Sequence, residues 1–195
     1  MWSFTFPTPE RLRRLVASQA ALDLTDPEVG VSATGTLPGY NVDENRVLLG
    51  HGPEIFAAAC EALRAWRQFS SPWTRIWPLP TPIAVGQTVA VLAHAFGMWW
   101  PNTARIVYVI DEPDRFGFAY GTLPQHVEQG EERFLIERHE DGSVWYTIRA
   151  VSRPRYWMVR VAYPLTRRMQ RRFARDSLAA MRRAVESPLT PAGGR

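Results

Sequence analysis

The chain has 195 residues, is 46% apolar and carries a formal net charge of +4. That length and apolar content suit one domain with a sizeable core. The charge is too small by itself to argue for a nucleic-acid partner. All 23 basic residues are arginine, which excludes Schiff-base chemistry and any phosphate loop that needs a lysine. The single cysteine, Cys60, leaves no internal disulfide and fits a reducing cytoplasm. The N-terminus has no basic segment followed by an apolar one, and no run of 18 apolar residues exists, so neither a secretory signal nor a membrane span is expected.

In chain order, residues 8–22 read as a helix, with Thr8 as cap, Pro9 in the first turn and Glu10 at the positive end. Residues 23–45 are rich in Gly, Pro, Thr and Asp and read as an irregular connection. A short strand over 45–52 leads into a helix that opens at Pro53 and sets Phe56, Ala59, Cys60, Leu63 and Trp66 on one face. Cys60 on that face reads as an inert core residue. Residues 70–86 hold four prolines and two tryptophans, Trp73 and Trp77, and are expected to cross the mouth of a sheet without forming a long regular element.

Strand patterns dominate from residue 87. Phe116, Phe118 and Tyr120 alternate with Gly117, Ala119 and Gly121, and Asp141-Gly142 is a hairpin signal. The period-2 pieces predict an antiparallel meander of about five strands. A long helix over 163–186 closes the chain, with a stripe of Leu165, Met169, Phe173, Leu178, Met181 and Val185. Arginines 167, 168, 171, 172, 175, 182 and 183 fill its other positions and read as a solvated face. The predicted organisation is an N-terminal helix and irregular extension (1–37), a main domain (38–186) and a disordered tail (187–195).

A curved antiparallel sheet with a long amphipathic helix as its cover predicts an α+β fold with a cavity between the two. This order of elements resembles the helix-grip fold of the START and birch-pollen-allergen superfamily. The resemblance implies an apolar tunnel for lipids, sterols, polyketides or other hydrophobic molecules, in a sheet that usually has seven strands where about six are counted here. The stretches "GYNVDENRVLLGHG", "RIVYVID", "FGFAYGTLPQHVEQGEERF", "VSRP" and "YPLTRRMQRRFARDSLAAM" resemble the bacterial and plant family filed as domain of unknown function 1990, over about residues 38–185. That family implies no established activity.

Candidate site residues cluster where the strand ending at Gly121 breaks at Leu123-Pro124 and resumes after Gly130. Thr122, His126, Glu128 and Glu132 lie at this rim, with Tyr120 on the strand before it. Glu131 and Glu132 are adjacent, so they face opposite sides of the sheet. The carboxylate on the concave side needs a partner, for which Arg105 and Arg133 are candidates. His94 shares a strand face with Thr88, Ala90, Leu92 and Phe96 and is a candidate pocket residue. Trp73 and Trp77 are candidates for an aromatic lining.

The leading expectation is therefore a cytoplasmic module that binds a small hydrophobic molecule, without a cofactor. One alternative is an enzyme using His126 with Glu128 or Glu132 as acid–base groups. Another is an arginine helix bound to an anionic surface, lipid or nucleic acid, with nucleic acid disfavoured because no recognised motif accompanies it. The four histidines show no metal-ligand spacing, and no nucleophile elbow, GxGxxG or P-loop occurs.

Overall fold

The computed structural model describes residues 2–26, 28–155 and 163–186. Its centre is a seven-stranded antiparallel sheet in the order β1-β7-β6-β5-β4-β3-β2. The strands are β1 (Asn41–His51), β2 (Thr74–Trp77), β3 (Thr88–Ala95), β4 (Met98–Glu112), β5 (Arg115–Thr122), β6 (Glu128–Arg138) and β7 (Ser143–Pro154). The five meander strands are present. The seventh strand of the helix-grip arrangement is β2, four residues inside the proline-rich segment, where pairing with Ala90 to Ala93 of β3 stabilises it. Register shifts between Leu48 and Gly50 in β1 and between Ile106 and Tyr108 in β4 bend these strands, and the sheet curls into a half-barrel.

Helices cover both faces. On the convex face lie α1 (Pro9–Ala20) and the single turn α2 (Val31–Thr34). Thr8 caps α1 by accepting a hydrogen bond from Arg11 N–H, and Leu12 is buried beneath it. The end of α1 is held from the sheet, where Arg105 donates to the carbonyls of Gln19, Ala20 and Leu22. α2 is held by Glu131, whose carboxylate accepts from Gly30 N–H at 2.8 Å and Ser32 N–H at 2.9 Å. The predicted split between Glu131 and Glu132 is observed, with Glu131 on this outer side.

On the concave face lie α3 (Pro53–Arg64), a 3₁₀ turn (Arg67–Phe69) and α4 (Tyr163–Glu186). Between them and the sheet is a tier of aromatic rings. Trp66 meets Phe118 at 4.9 Å, Phe118 meets Phe134 at 5.3 Å, and Phe69 meets Phe134 at 5.7 Å between centroids. Offset and edge-on ring pairs of this kind contribute about 0.5–1.5 kcal/mol each beyond burial. Cys60 sits in this core, and burial pushes its thiol up to about 11, so it is inert at neutral pH.

α4 is divided along its length. Its C-terminal half seats directly on the core through small residues, Ala174, Ser177, Ala180 and Ala184, together with Met181 and Val185. Ser177 also bonds to the Tyr146 hydroxyl at 3.1 Å. The N-terminal half has no such seat. Leu165, expected in the apolar stripe, is 41% exposed. Arg167, expected on the solvent face, turns inward to Asp43. The tail 187–195 lies outside the described residues. No helix among them is long and apolar enough to cross a membrane.

Because Ala180 is buried in the seated half of α4, Ala180→Leu overpacks that seat and is expected to cost about 1–3 kcal/mol. Thermal unfolding should register this as a loss of roughly 2–4 °C per kcal/mol. Arg175→Leu, at an exposed position one turn earlier, should leave the melting temperature within about 1 °C.

Candidate functional site

Where α4 leaves the core, a cavity of about 890 Å³ opens between its N-terminal half and the sheet. Its walls are mainly apolar and include Phe69, Val91, Trp100, Ile148, Met169 and Phe173. At the mouth Phe96 is 62% exposed beside Leu165.

Polar clips hold the helix above this space from three sides. On the β1 rim, Tyr163 donates to Asn41 Oδ1 at 3.0 Å, and both guanidinium nitrogens of Arg167 bind the two oxygens of Asp43. On the opposite rim, Trp73 donates its indole N–H to Asp176 at 2.8 Å while Arg172 covers its ring at 4.7 Å. From the floor, Glu128 accepts from Gln170 of α4 at 2.5 Å and from the Ser152 hydroxyl at 2.7 Å. Bidentate charge-assisted contacts of the Arg167–Asp43 type are the stronger members of this set.

Glu128 and Glu132 share the concave face of β6, with Gly130 between them. Gly130 has φ +146°, and a Cβ there would lie 2.0 Å from the Val151 carbonyl oxygen. The floor between the two carboxylates is therefore bare backbone. Thr122 secures it: its hydroxyl accepts from Gly130 N–H at 3.0 Å and also contacts the Thr25 hydroxyl.

Glu132 is the chemically distinctive group. Its Oε2 accepts from the Tyr120 hydroxyl at 2.5 Å, and Oε1 has no hydrogen-bond partner among the described residues. Burial raises its pKa to about 7, the Tyr120 hydrogen bond opposes that rise, and the charges of Glu128 and Asp43 reinforce it. Burial likewise raises Glu128, against the hydrogen bonds from Ser152 and Gln170. His126 is driven the other way, to about 4, chiefly by burial. Its Nδ1 accepts from Glu128 N–H at 3.0 Å, so the neutral ring carries its proton on Nε2.

The nine residues singled out from sequence are thus sorted. Tyr120, Thr122, His126, Glu128, Glu132 and Trp73 line the cavity. His94, Arg105 and Trp77 do not. His94 is exposed on the convex side against Trp99 (4.9 Å), Arg105 caps α1, and Trp77 pairs with Ala90 and shares its convex face. Arg133 also points outward, to the Ala33 carbonyl. Neither arginine partners Glu132; Tyr120 does. The His126 ring meets the backbone of Glu128, and no carboxylate bonds to it among the described residues. Sequence reading missed Asp43, Arg167 and Gln170. A usable signal existed for the last two: they are polar residues at inward helix positions, two turns before Ala174 and Ser177.

This is a helix-grip domain with an open-mouthed cavity beneath the first half of its long helix. The chain belongs to the family described as "Domain of unknown function (DUF1990)", whose model matches residues 25–180. It is 41% identical over 160 residues to a UPF0548 protein of Dictyostelium discoideum, covering 76% of this chain and 74% of that one. It is 36% identical over 195 residues to a UPF0548 protein of Deinococcus radiodurans, covering 92% and 96%. In fold it is similar to the Zhui aromatase/cyclase of Streptomyces sp. R1128 (TM-score 0.54, 14% identity, 80% of this chain and 99% of that chain). It is also similar to a hypothetical protein of Helicobacter pylori (TM-score 0.54, 12% identity, 74% and 89%). At such identities the likeness is one of fold.

The raised pKa of Glu132 fixes the sign of a pH effect. Between the ordinary value of 4.5 and about 7 the native state keeps a proton that the unfolded chain has released. Stability should therefore fall as pH rises through that window. Glu132→Gln is expected to flatten the dependence and to raise the melting temperature at pH 8, measured by calorimetry across pH 5–8. Tyr120→Phe removes the one donor to Glu132 and should move its titration above 7, read from the carboxyl carbon resonance by NMR.

Proposed function

We propose that this protein binds a small hydrophobic molecule in the cavity beneath the N-terminal half of α4. The observation that carries the reading is an apolar-walled space of about 890 Å³ containing a confined group of polar side chains. Sites for small molecules have this character: mostly apolar walls, with a few convergent polar groups that orient the guest. The similar fold of the Zhui aromatase/cyclase is in keeping with this reading. The binding unit is residues 38–186, with residues 1–37 as a brace on the convex face, and its setting is the cytoplasm.

Glu132, with a pKa near neutrality, supports a second reading in which the cavity also transfers protons to or from its guest. That role falls to Glu132 with Tyr120 more naturally than to His126, whose ring nitrogen Nδ1 is already engaged by backbone.

Freshly purified protein should bind Nile red with a blue-shifted, enhanced emission, and native mass spectrometry should reveal a retained small molecule. Ala93→Trp, which places a large ring in the cavity wall, should weaken Nile red binding about tenfold or more with the fold retained by circular dichroism. Unchanged dye binding in Ala93→Trp would overturn the reading.

A further inference from the structure

Resting on that binding role, we propose that the cavity selects an apolar molecule whose polar end is a hydrogen-bond donor, a hydroxyl or an ammonium, and rejects carboxylates of the same length.

The selection follows from which polar groups are spent and which are open. Tyr120 gives its proton to Glu132, while Ser152 and Gln170 give theirs to Glu128. The guanidinium of Arg167, the cation nearest these acids, is held by both oxygens of Asp43 and by Gln170 Oε1. Trp73 and Trp100 donate to Asp176 and to the Ala95 carbonyl. Arg171 reaches the cavity lining from the solvent-exposed row of α4. Apart from the His126 Nε2–H and Arg171 on the solvent side, these donors are committed within the protein, and what Glu132 leaves open is an acceptor, Oε1.

A guest hydroxyl or ammonium completes Glu132 by donating to Oε1. A guest carboxylate would share a low-dielectric space with Glu128 and Glu132. It would find one neutral donor, the Nε2–H of His126; of the two arginines in the lining, Arg167 is held by Asp43 and Arg171 stands in the solvent-exposed row of α4. Burying a third acid there carries both the desolvation cost of a charge and like-charge repulsion. Gly130 makes the effect local, because the floor between the two glutamates offers no side chain that could screen it. The raised pKa of Glu132 has burial as its main cause, and the neighbouring charges of Glu128 and Asp43 add to it.

Displacement of Nile red by three twelve-carbon probes at pH 8 tests this directly: dodecylamine, 1-dodecanol and dodecanoate. The amine and the alcohol should displace the dye at concentrations at least about tenfold below dodecanoate, because like-charge juxtaposition costs several kcal/mol and tenfold is 1.4 kcal/mol. Glu132→Gln should shrink the ratio between amine and dodecanoate to less than about threefold while 1-dodecanol stays within about threefold of wild type. Dodecanoate binding as well as or better than the other two overturns the proposal and leaves the cavity reading standing. Failure of all three probes to displace the dye overturns both. If Glu132→Gln does not fold, the wild-type order of the three probes decides the question.

Discussion

The structure depends on the depth at which one helix sits. Buried small residues, Ala174, Ser177, Ala180 and Ala184, bring the second half of α4 down close to the core. A rigid rod seated at one end has its other end fixed in direction. The first half must then stand off from a sheet that curves away from it, and the space beneath is the cavity. Close packing and an internal void are thus consequences of one distribution of small and large residues along one helix. Dense packing at Met181 and Val185 keeps the rod rigid enough for the gap at Met169 and Phe173 to persist.

The free half is held by polar contacts, and this gives the site its electrostatic character. Arg167 and Gln170, the groups that would otherwise face a guest with positive charge or donors, are spent on Asp43 and Glu128. Holding the helix in place consumes the counter-charges of the floor, and Glu132 is left with a tyrosine as its partner. Its proton affinity near neutrality follows from that allocation as well as from burial.

Much of the scaffold was legible in the sequence, and the errors share one physical origin. Alternation of large and small residues in β5, the Asp141-Gly142 hairpin and the span of α4 each follow from local periodicity or turn chemistry. A period of two separates the faces of a strand without saying which is concave. Usually the polar face identifies the solvent side, but α1 and α2 cover the convex surface here, and both faces are partly apolar. His94, Arg105 and Trp77 were assigned to the cavity for that reason, although the grouping of His94 with Ala90 and Leu92 on one face was right. β2 was not legible because four residues between prolines have too little local signal, and tertiary pairing alone makes them a strand. Asp43 needed the three-dimensional meeting of β1 and α4, which no single stretch encodes.

Among the described residues the half-barrel is not closed: of the other strands, β1 pairs only with β7 and β2 only with β3, leaving two borders. β2 is short, which limits what can add to it. β1 is eleven residues long, and a border of that length is a template for adhesion to another copy of the chain. The contacts of Tyr163 and Arg167 with β1, together with Arg182 at the Leu48 carbonyl, drape the helix along that border. The same helix that stands over the cavity therefore also lies against the longer of the two borders. Were it to lift, unpaired strand backbone would be left open to pairing.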